Sequence, residues 1–481
     1  MRIGRPSSVA QLTRIQRTRR VTWPVTQSRR HLTTAEPSRP PWSHPPNSAN
    51  IADDEVSRLA SKPLHPLTLA DLVRHGRPPL TADALFASAN FTLSLLPVRL
   101  AHRIQSLRNL PFIVVSNPHI SKIYNNYLHS LSTLLPYTER RINTLEDEST
   151  FAEVMADLVQ THSNTIPILA RGFLECRKYI SPLDVTHFLD EHLRARIGTR
   201  LIAEQHLALH FSSLPHRSLA GDSAAAHYPT SDSYIGVIDT ALQPASIIHN
   251  CGAFVSEICE LKYGVRPSLV IDGQADTTFT YVPVHLEYII TELLKNAFRA
   301  VVETGKEREP VVITIAAAPA EPADNLAGKL VDQGDVTGKL GDGKGSYDSS
   351  VEDKTGFIQR LDDAAPGVTI RIRDRGGGIS PEHLPNIWSY SFTTFSDDEL
   401  PNSAGGGGGG SGGVNAGNGN IDALNAISGA GGGSSSIAGL GYGLPLGRAY
   451  AEYFGGGIGV QSMWGWGTDV YLDLRGVGRI G

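Results

Sequence analysis

The hydrophobic pattern of this chain changes near residue 230, and that change limits the folds it can adopt. Before it, over residues 55–225, apolar residues recur at helical spacing. One stripe within residues 151–162 consists of Val154, Met155, Leu158 and Val159. After it, over residues 230–476, short β-branched segments alternate with helical ones. The sequence therefore predicts an α+β protein, with a helical domain followed by a mixed α/β sandwich.

The two predicted domains can be divided into elements. A helix is expected to start at Ser181, with Pro182 in its first turn and Asp184 near its positive end. In the second domain the predicted helices cover residues 248–261, 285–304 and 444–454. The predicted strands cover residues 268–271, 279–282, 311–316, 368–373, 459–463 and 468–474.

Two stretches of the second domain do not fit this alternation. Residues 318–366 are rich in Asp, Gly, Ala and Lys, and residues 402–436 contain 14 of the 48 glycines. Both have the composition of low-complexity insertions, which bury too little apolar surface to order themselves. Without these insertions and residues 1–48, 349 residues remain, enough for two domains of about 170 residues each.

The first 48 residues have the composition of a mitochondrial transit peptide. They contain nine Arg, no Lys and a single acid, Glu36. An arginine-rich segment of this kind is attracted by a negative-inside potential, although a disordered basic arm is the alternative. Removing it would change the net charge from -5 to -13, which argues against a nucleic-acid-binding protein.

Cysteine spacing and hydropathy exclude further classes. Cys176, Cys251 and Cys259 have no metal-binding or disulfide spacing, so a reducing compartment is the simpler expectation. No run of about 18 apolar residues occurs, so no transmembrane helix is predicted.

The predicted helix over residues 285–304 carries the first candidate functional residues. Glu292, Asn296 and Arg299 are spaced to share one face, while Leu293 and Ala297 face a core. An Asn carbonyl can bind Mg²⁺ and a carboxylate one turn away can accept a proton. A solvated helix face with no such role is the alternative.

Two glycine-containing segments could bind a nucleotide. Asp374 ends a strand and is followed by glycines that include Gly376 and Gly378, so a carboxylate lies beside an accessible backbone, although a plain turn has the same pattern. Further on, Gly439, Gly441 and Gly443 lead into a helix, whose N-terminal amides can bind phosphate. This turn follows the insertion at 402–436, which we expect to close over the nucleotide as a lid.

The order of these motifs resembles the N box and the three G boxes of the GHKL superfamily. The third G box corresponds to the Gly-Thr pair that ends at Thr468. The resemblance implies a GHKL (Bergerat) ATP-binding fold in residues 230–476, after a four-helix-bundle-like domain in residues 55–225. The sequence resembles the mitochondrial α-keto acid dehydrogenase kinases more closely still. The segments that carry this resemblance are Glu292-Leu-Leu-Lys-Asn-Ala-Phe-Arg299, Asp374-Arg-Gly-Gly-Gly378, Phe392-Thr-Thr394 and Leu440-Gly-Tyr-Gly-Leu-Pro445.

The resemblance implies a role for each motif residue. Glu292 would act as the base towards a substrate serine hydroxyl, and His162 would tune that carboxylate, although a packing role for His162 is equally open. Asn296 would coordinate the Mg²⁺ of ATP, and Asp374 would bind the adenine amine. The remaining ATP-binding positions implied are Arg299, Gly376, Gly378, Thr393, Thr394, Gly439, Leu440, Gly441, Tyr442, Gly443, Leu444 and Thr468. The backbone carbonyls of Ile387, Ser389 and Phe392 would bind K⁺.

The implied substrate is the dehydrogenase component of a mitochondrial α-keto acid dehydrogenase complex in the matrix. The sequence looks more like branched-chain than pyruvate dehydrogenase kinases in three segments, 96–104, 448–453 and 468–474. The absence of a long segment after Gly481 also favours the branched-chain members. The resemblance also implies a homodimer and binding to a lipoyl domain of the transacylase core.

Three other functions remain compatible with the motifs. A histidine kinase shares the ATP-binding domain and needs a phosphoacceptor His followed by an acid. His75, His162 and His206 lack that acid, whereas His192 stands after Glu191. A GHKL ATPase that works as a conformational machine needs no acceptor protein. A pseudokinase scaffold is disfavoured because Glu292, Asn296 and Asp374 are intact.

Overall fold

The computed structural model describes residues 53–76, 80–213, 233–318, 367–390 and 441–476. Within these ranges the first part is helical and the second combines helices with two sheets, so the predicted α+β class is confirmed. The predicted transit peptide, residues 319–366 and residues 402–436 lie outside the described residues.

Eight helices form the described part of the helical half. They are α1 Asp53–Ala60, α2 Leu69–Arg74, α3 Ala82–Arg108, α4 Phe112–Val115, α5 Pro118–Leu134, α6 Leu145–Thr161, α7 Thr165–Cys176 and α8 Pro182–Ser212. The predicted start of α8 is confirmed: the Ser181 hydroxyl accepts a bond from the Asp184 backbone N–H at 3.1 Å. Thr144 caps α6 in the same way, since its hydroxyl accepts from the N–H of Asp147 at 3.2 Å.

The two longest helices, α3 and α8, pack together and carry much of the helical core. By length and composition α3 is also apolar enough to cross a membrane, although 56% of its most apolar window is buried inside the protein. Leu96, Leu100 and Ile104 of α3 are buried, as expected for the core helix of a folded domain. This burial explains its hydropathy without a membrane.

The second half contains three helices and eight strands among the described residues. The helices are α9 Pro244–Tyr263, α10 Pro283–Glu303 and α11 Gly443–Tyr453. The strands are β1 Tyr234–Ile235, β2 Ile238–Leu242, β3 Leu269–Gly273, β4 Phe279–Tyr281, β5 Val311–Ala317, β6 Gly367–Asp374, β7 Gly457–Met463 and β8 Gly467–Arg475. All six predicted strands are confirmed within two residues, whereas β1 and β2 were not predicted because they are short and β2 contains the polar pair Asp239 and Thr240.

The strands form two sheets. The smaller has the order β1-β2-β4, and the larger has the order β3-β5-β6-β8-β7. In the larger sheet β3 and β5 are parallel and the other pairs are antiparallel. Strand β6 alternates, with Val368, Ile370 and Ile372 buried, so one face of the sheet packs against helices.

Helices α10 and α11 connect the sheet to the rest of the protein. Helix α10 packs on β6, on α9 and on α11, and α11 packs on β7 and on α8 of the helical half. The nucleotide-binding motifs predicted on α10 and at the start of α11 are therefore brought to one region between the two halves.

Three buried histidines, His192, His206 and His285, and the half-buried His162 indicate how the stability of the fold depends on pH. Burial lowers the pKa of His162 and His206 to about 4 and that of His285 to about 3, and it lowers the pKa of His192 well below its usual range. Because these pKa values lie below those of the unfolded chain, the unfolded state binds more protons between about pH 4 and 6.5. Stability should therefore fall as the pH falls through this window.

Two acids, the buried Asp374 and the half-buried Glu287, act in the opposite direction. Burial raises the pKa of Glu287 to about 7 and that of Asp374 to about 6, so the folded state keeps these protons. The four histidines exceed the two acids by about two protons, and we expect the free energy of unfolding to drop by about 2–3 kcal/mol per pH unit between pH 6 and 5. Urea unfolding monitored between pH 7.5 and 5 tests this, and a stability that is constant or increases towards pH 5 would contradict it.

Candidate nucleotide and phosphoryl-transfer site

Glu292 lies where α10 meets the first residue of α11. Lys295 donates from Nζ to Glu292 Oε1 at 2.9 Å, and both side chains are largely buried. The other carboxylate oxygen lies against Gly443, so close that a β-carbon at Gly443 would overlap Glu292 Oε2. The carboxylate is thus fixed by a cation on one side and by the N-terminus of a helix on the other, where a negative charge is favoured.

Asn296 and Arg299 follow Glu292 along the same helix. Asn296 is exposed and Arg299 is partly exposed, while Leu293 and Ala297 are buried, as the sequence predicted. The Asn296 amide is thereby accessible to a solvent-borne ligand. Arg299 donates from Nε to Glu303 Oε1 at 2.7 Å, so its guanidinium is engaged on its own helix.

Asp374 ends β6 beside the last strand. It is 8% exposed and lies opposite Thr468 of β8 in the register of the sheet. Its Oδ1 accepts a bond from the backbone N–H of Gly376 at 2.7 Å. Burial raises the pKa of Asp374 to about 6, and the backbone bonds from Gly376 and Thr468 oppose that rise. The carboxyl is therefore mostly ionised above pH 7 and able to accept a hydrogen bond.

Gly376 and Gly378 are required by their neighbours in the protein. A β-carbon at Gly376 would overlap Ala300 of α10, and one at Gly378 would overlap the Met463 carbonyl at the turn between β7 and β8. Gly378 also has a φ of 74°, a conformation that other residues adopt rarely. The loop after Asp374 is therefore pressed tightly between α10 and this turn.

The glycines before α11 are only partly described. Gly441 has a φ of 75°, and the helix begins at Gly443, one residue earlier than predicted. Its first backbone N–H groups are the amides predicted to bind phosphate. Tyr442 is buried and Leu444 is half-buried in the first turn. Gly439 and Leu440 lie outside the described residues.

His162 ends α6 in the helical half. Its Nε2 lies 2.8 Å from Ser130 Oγ, and its ring lies 4.6 Å from that of Tyr127. Burial, followed by the charge of Arg196, lowers its pKa to about 4, so the ring is neutral at pH 7. The ring also lines a mainly apolar cavity of about 50 Å³.

The contacts described for His162 do not include Glu292. Instead, the Arg196 guanidinium donates to the His162 carbonyl at 3.1 Å. His162 is therefore joined to α8 through Arg196, and α8 packs on α11, the helix that touches Glu292. The predicted tuning of Glu292 by His162 stays a prediction.

The residues predicted to bind K⁺ follow a short 3₁₀ helix, Leu384–Asn386. Ile387 continues from this turn, and the Ser389 N–H donates to the Asn386 carbonyl at 2.9 Å. Phe392, Thr393 and Thr394 lie outside the described residues. Among the described residues, no cluster of three or more His, Cys, Asp or Glu side chains could bind a metal ion by itself.

Two residues of this region were not identified from the sequence. Lys295 was visible in the motif, and its spacing of three residues from Glu292 could have suggested the ion pair. Ser462 accepts from the Ile379 N–H at 2.7 Å and lies 3.2 Å from the Thr468 hydroxyl. Because Ser462 is 83 residues from Ile379, no local pattern indicates it.

Comparison with known proteins gives relatives that span most of the chain. A family model described as mitochondrial branched-chain alpha-ketoacid dehydrogenase kinase matches residues 66–239. Pyruvate dehydrogenase (acetyl-transferring) kinase 1, mitochondrial, of Saccharomyces cerevisiae is 30% identical over 88% of this chain and 86% of its own length. The mitochondrial pyruvate dehydrogenase (acetyl-transferring) kinase of Arabidopsis thaliana is 29% identical over 86% of this chain and 90% of its own. The mitochondrial pyruvate dehydrogenase (acetyl-transferring) kinase isozyme 4 of Mus musculus is 26% identical over 89% of this chain and 85% of its own length.

An α+β fold with this site, together with relatives of this kind, defines the class as protein kinases. The chain belongs to the mitochondrial α-keto acid dehydrogenase kinase family. The predicted closeness to the branched-chain members is not confirmed, since the relatives named above are pyruvate dehydrogenase kinases.

Proposed function

We propose that this protein is an ATP-dependent serine kinase that phosphorylates, and thereby inactivates, the dehydrogenase component of the mitochondrial pyruvate dehydrogenase complex. The observation that carries the proposal is the position of the Glu292 carboxylate, paired with Lys295 and in contact with Gly443 at the first turn of α11. A base beside backbone amides that can hold phosphate is the arrangement that phosphoryl transfer to a hydroxyl requires.

The architecture that we propose has two domains. Residues 55–225 would form the four-helix-bundle-like domain and residues 230–476 the GHKL (Bergerat) ATP-binding domain. The order of the described elements, with α1 to α8 followed by the sheets and α9 to α11, supports this division. Residues 318–366 and 402–436 would be insertions in the second domain, the latter acting as its lid.

In the proposed reaction each residue of the chain has a positional or proton-transfer role. Asp374 accepts a hydrogen bond from the adenine amine, beside Thr468 in the register of the sheet. The amides at Gly441 and Gly443 bind phosphate oxygens at the start of α11. Glu292 then takes the proton of the substrate serine hydroxyl as the phosphoryl group is transferred, while Lys295 keeps the carboxylate in place.

The donor set fits Mg²⁺ as the cofactor. Mg²⁺ keeps several waters and substrate phosphates as ligands and needs only one or two protein groups, so the exposed amide of Asn296 is sufficient. When bound, Mg²⁺ neutralises part of the phosphate charge. Asn296 would hold it, one turn along α10 from Glu292. K⁺ at the carbonyls of Ile387, Ser389 and Phe392 is also part of the proposal.

The choice of substrate rests on the names of the relatives rather than on the sequences of individual segments. Kinases named for pyruvate dehydrogenase match 86–89% of this chain in yeast, plant and mouse. The branched-chain complex is kept as a second candidate because the family model that matches residues 66–239 is described by that name. The pyruvate dehydrogenase complex thus replaces the branched-chain complex, which the sequence had favoured, as the proposed substrate.

The proposed setting is the mitochondrial matrix, with residues 1–48 as the transit peptide. The names of the relatives support a mitochondrial location. We propose further that the protein is a homodimer and that it binds a lipoyl domain of the transacylase core.

Incubation of the protein with each purified complex and radiolabelled Mg-ATP tests the proposed function. We expect acid-stable phosphoserine on the dehydrogenase component of the pyruvate complex and at least about tenfold less on the branched-chain one, a difference of 1.4 kcal/mol in transition-state stabilisation. Preferential labelling of the branched-chain complex would make the second candidate correct.

Two other outcomes would contradict a serine kinase. Acid-labile phosphate on the protein itself would indicate a histidine kinase. ATP hydrolysis with no labelled acceptor would indicate an ATPase that works as a conformational machine.

A further inference from the structure

Side chains from both halves of the protein meet at Asp190, in the third turn of α8. The Tyr390 hydroxyl donates to Asp190 Oδ1 at 2.7 Å. The Arg448 guanidinium of α11 lies 3.7 Å from Asp190 Oδ2. One carboxylate of the helical half therefore holds two separate segments of the nucleotide-binding half.

The segments held by Asp190 are also packed against each other. The ring of Tyr390 lies 5.2 Å from that of Tyr442, and both residues are buried. The Arg448 guanidinium lies 4.8 Å from the centre of the Trp388 ring. Since α11 begins directly after Tyr442, these contacts reach from Asp190 to the turn where Gly443 touches Glu292.

The other contacts between α8 and α11 lie farther along α11. Arg194 pairs with Glu452. The Tyr453 hydroxyl occupies the space beside Gly198, where any β-carbon would overlap it. These contacts hold the later turns of α11 against the helical half. Asp190 in addition bonds Tyr390, which packs against Tyr442 directly before the first turn of α11.

The chemistry of the Tyr390 contact suits a fixed link. Burial, followed by the hydrogen bond to Asp190, raises the pKa of Tyr390, so its phenol stays protonated and remains a donor at any physiological pH. A hydrogen bond to a charged acceptor is about twice as strong as one between neutral groups. The link is therefore directional, and ionisation of Tyr390 does not break it.

We propose that Asp190 is a positioning residue for nucleotide binding: through Tyr390 and Arg448 it sets the first turn of α11, and hence the phosphate-binding amides, relative to the helical domain. This inference rests on the proposed function, because it assumes that α11 binds the ATP phosphates. Without the link, the protein must order this turn when the nucleotide binds, and affinity falls.

The test compares three variants with wild type. Asp190→Asn weakens the acceptor, Tyr390→Phe removes only the donor hydroxyl, and the double variant removes both. Glu191→Gln is the matched control, because Glu191 is an exposed neighbour whose carboxylate pairs with His187 on the same helix. The measurements are the Kd of a non-hydrolysable ATP analogue with Mg²⁺, by calorimetry, and the kcat and KM for ATP.

We expect the Kd and the KM for ATP to rise about tenfold in each single variant, with kcat within about threefold of wild type. The double variant should be little worse than Asp190→Asn alone, because Asp190→Asn already weakens the hydrogen bond that Tyr390→Phe removes. Glu191→Gln should bind the analogue like wild type.

Three results would overturn the inference. In the first, Tyr390→Phe and Asp190→Asn bind the analogue with wild-type affinity. In the second, their effects add fully, so that the two residues act independently. In the third, kcat falls while Kd is unchanged. If Asp190→Asn does not fold, Tyr390→Phe tests the same bond by itself. A wild-type protein that fails to bind the analogue would refute the proposed function, and the inference with it. If wild type binds the analogue and every variant binds it equally well, only the inference is refuted.

Discussion

Glu292→Gln is expected to bind ATP about as well as wild type and to transfer its phosphoryl group about 10²- to 10⁴-fold more slowly. The amide has the shape of the carboxylate, so it can still lie between Lys295 and Gly443. It cannot accept the proton of a serine hydroxyl, and for that reason the chemical step should suffer while binding does not. The rate of radiolabel transfer to the dehydrogenase component and the Kd of an ATP analogue measure the two effects separately.

The matched control for this variant is Glu303→Gln. Glu303 lies on the same helix and pairs with Arg299, but it is away from Gly443 at the C-terminal end of α10. Its replacement should leave transfer within about twofold of wild type, as expected for a surface ion pair. If Glu292→Gln turns over as fast as wild type, Glu292 is not the base.

Gly443→Ala is expected to abolish most of the transfer activity although it adds a single methyl group. The new β-carbon would overlap the Glu292 carboxylate, so either that side chain or the first turn of α11 must move. Rotation of Glu292 would break its contact with Lys295, and a shift of the turn would move the phosphate-binding amides. Since a displacement of about 1 Å can cost 10²-fold in rate, we expect a loss of at least about that size.

Gly447→Ala is the control for the second prediction, because it adds the same methyl group one turn farther along α11. Its nearest neighbour would be Ile458 Cδ1 at 3.8 Å, an ordinary van der Waals distance. Alanine is also the better helix former, so this variant should be as stable as wild type or more stable. Activity of Gly443→Ala equal to that of Gly447→Ala, in the same transfer assay, would show that the contact between Gly443 and Glu292 has no role.

Much of the fold follows from local sequence signals. The cap at Ser181 and the start of α8 were predicted from three residues, because an N-cap hydroxyl bonds an amide only three positions away. The alternating Val368, Ile370 and Ile372 likewise indicated a strand with one buried face. The strands β1 and β2 were missed because short strands gain their stability from the sheet that they join rather than from their own residues.

The candidate site was predictable in its members but not in its contacts. The sequence indicated Glu292 on one helix and Gly443 at the start of another, and it suggested that the glycine was needed for phosphate binding. The structure adds that only a residue without a β-carbon at position 443 leaves room for the Glu292 carboxylate. In the same way, Gly376 is required by Ala300 and Gly378 by the Met463 carbonyl.

The sequence by itself determined the division into a helical half and a mixed half, six strands of the second half, the membership of the nucleotide motifs and the family to which they point. These depend on hydrogen bonds and periodicities within a few residues of the chain. Only the tertiary structure decided that Glu292 meets Gly443 and that Asp190 holds Tyr390 and Arg448. It also placed the Arg196 guanidinium of α8 on the His162 carbonyl. Such contacts join residues far apart in the chain, and they arise from how α8, α10 and α11 pack, which no local pattern encodes.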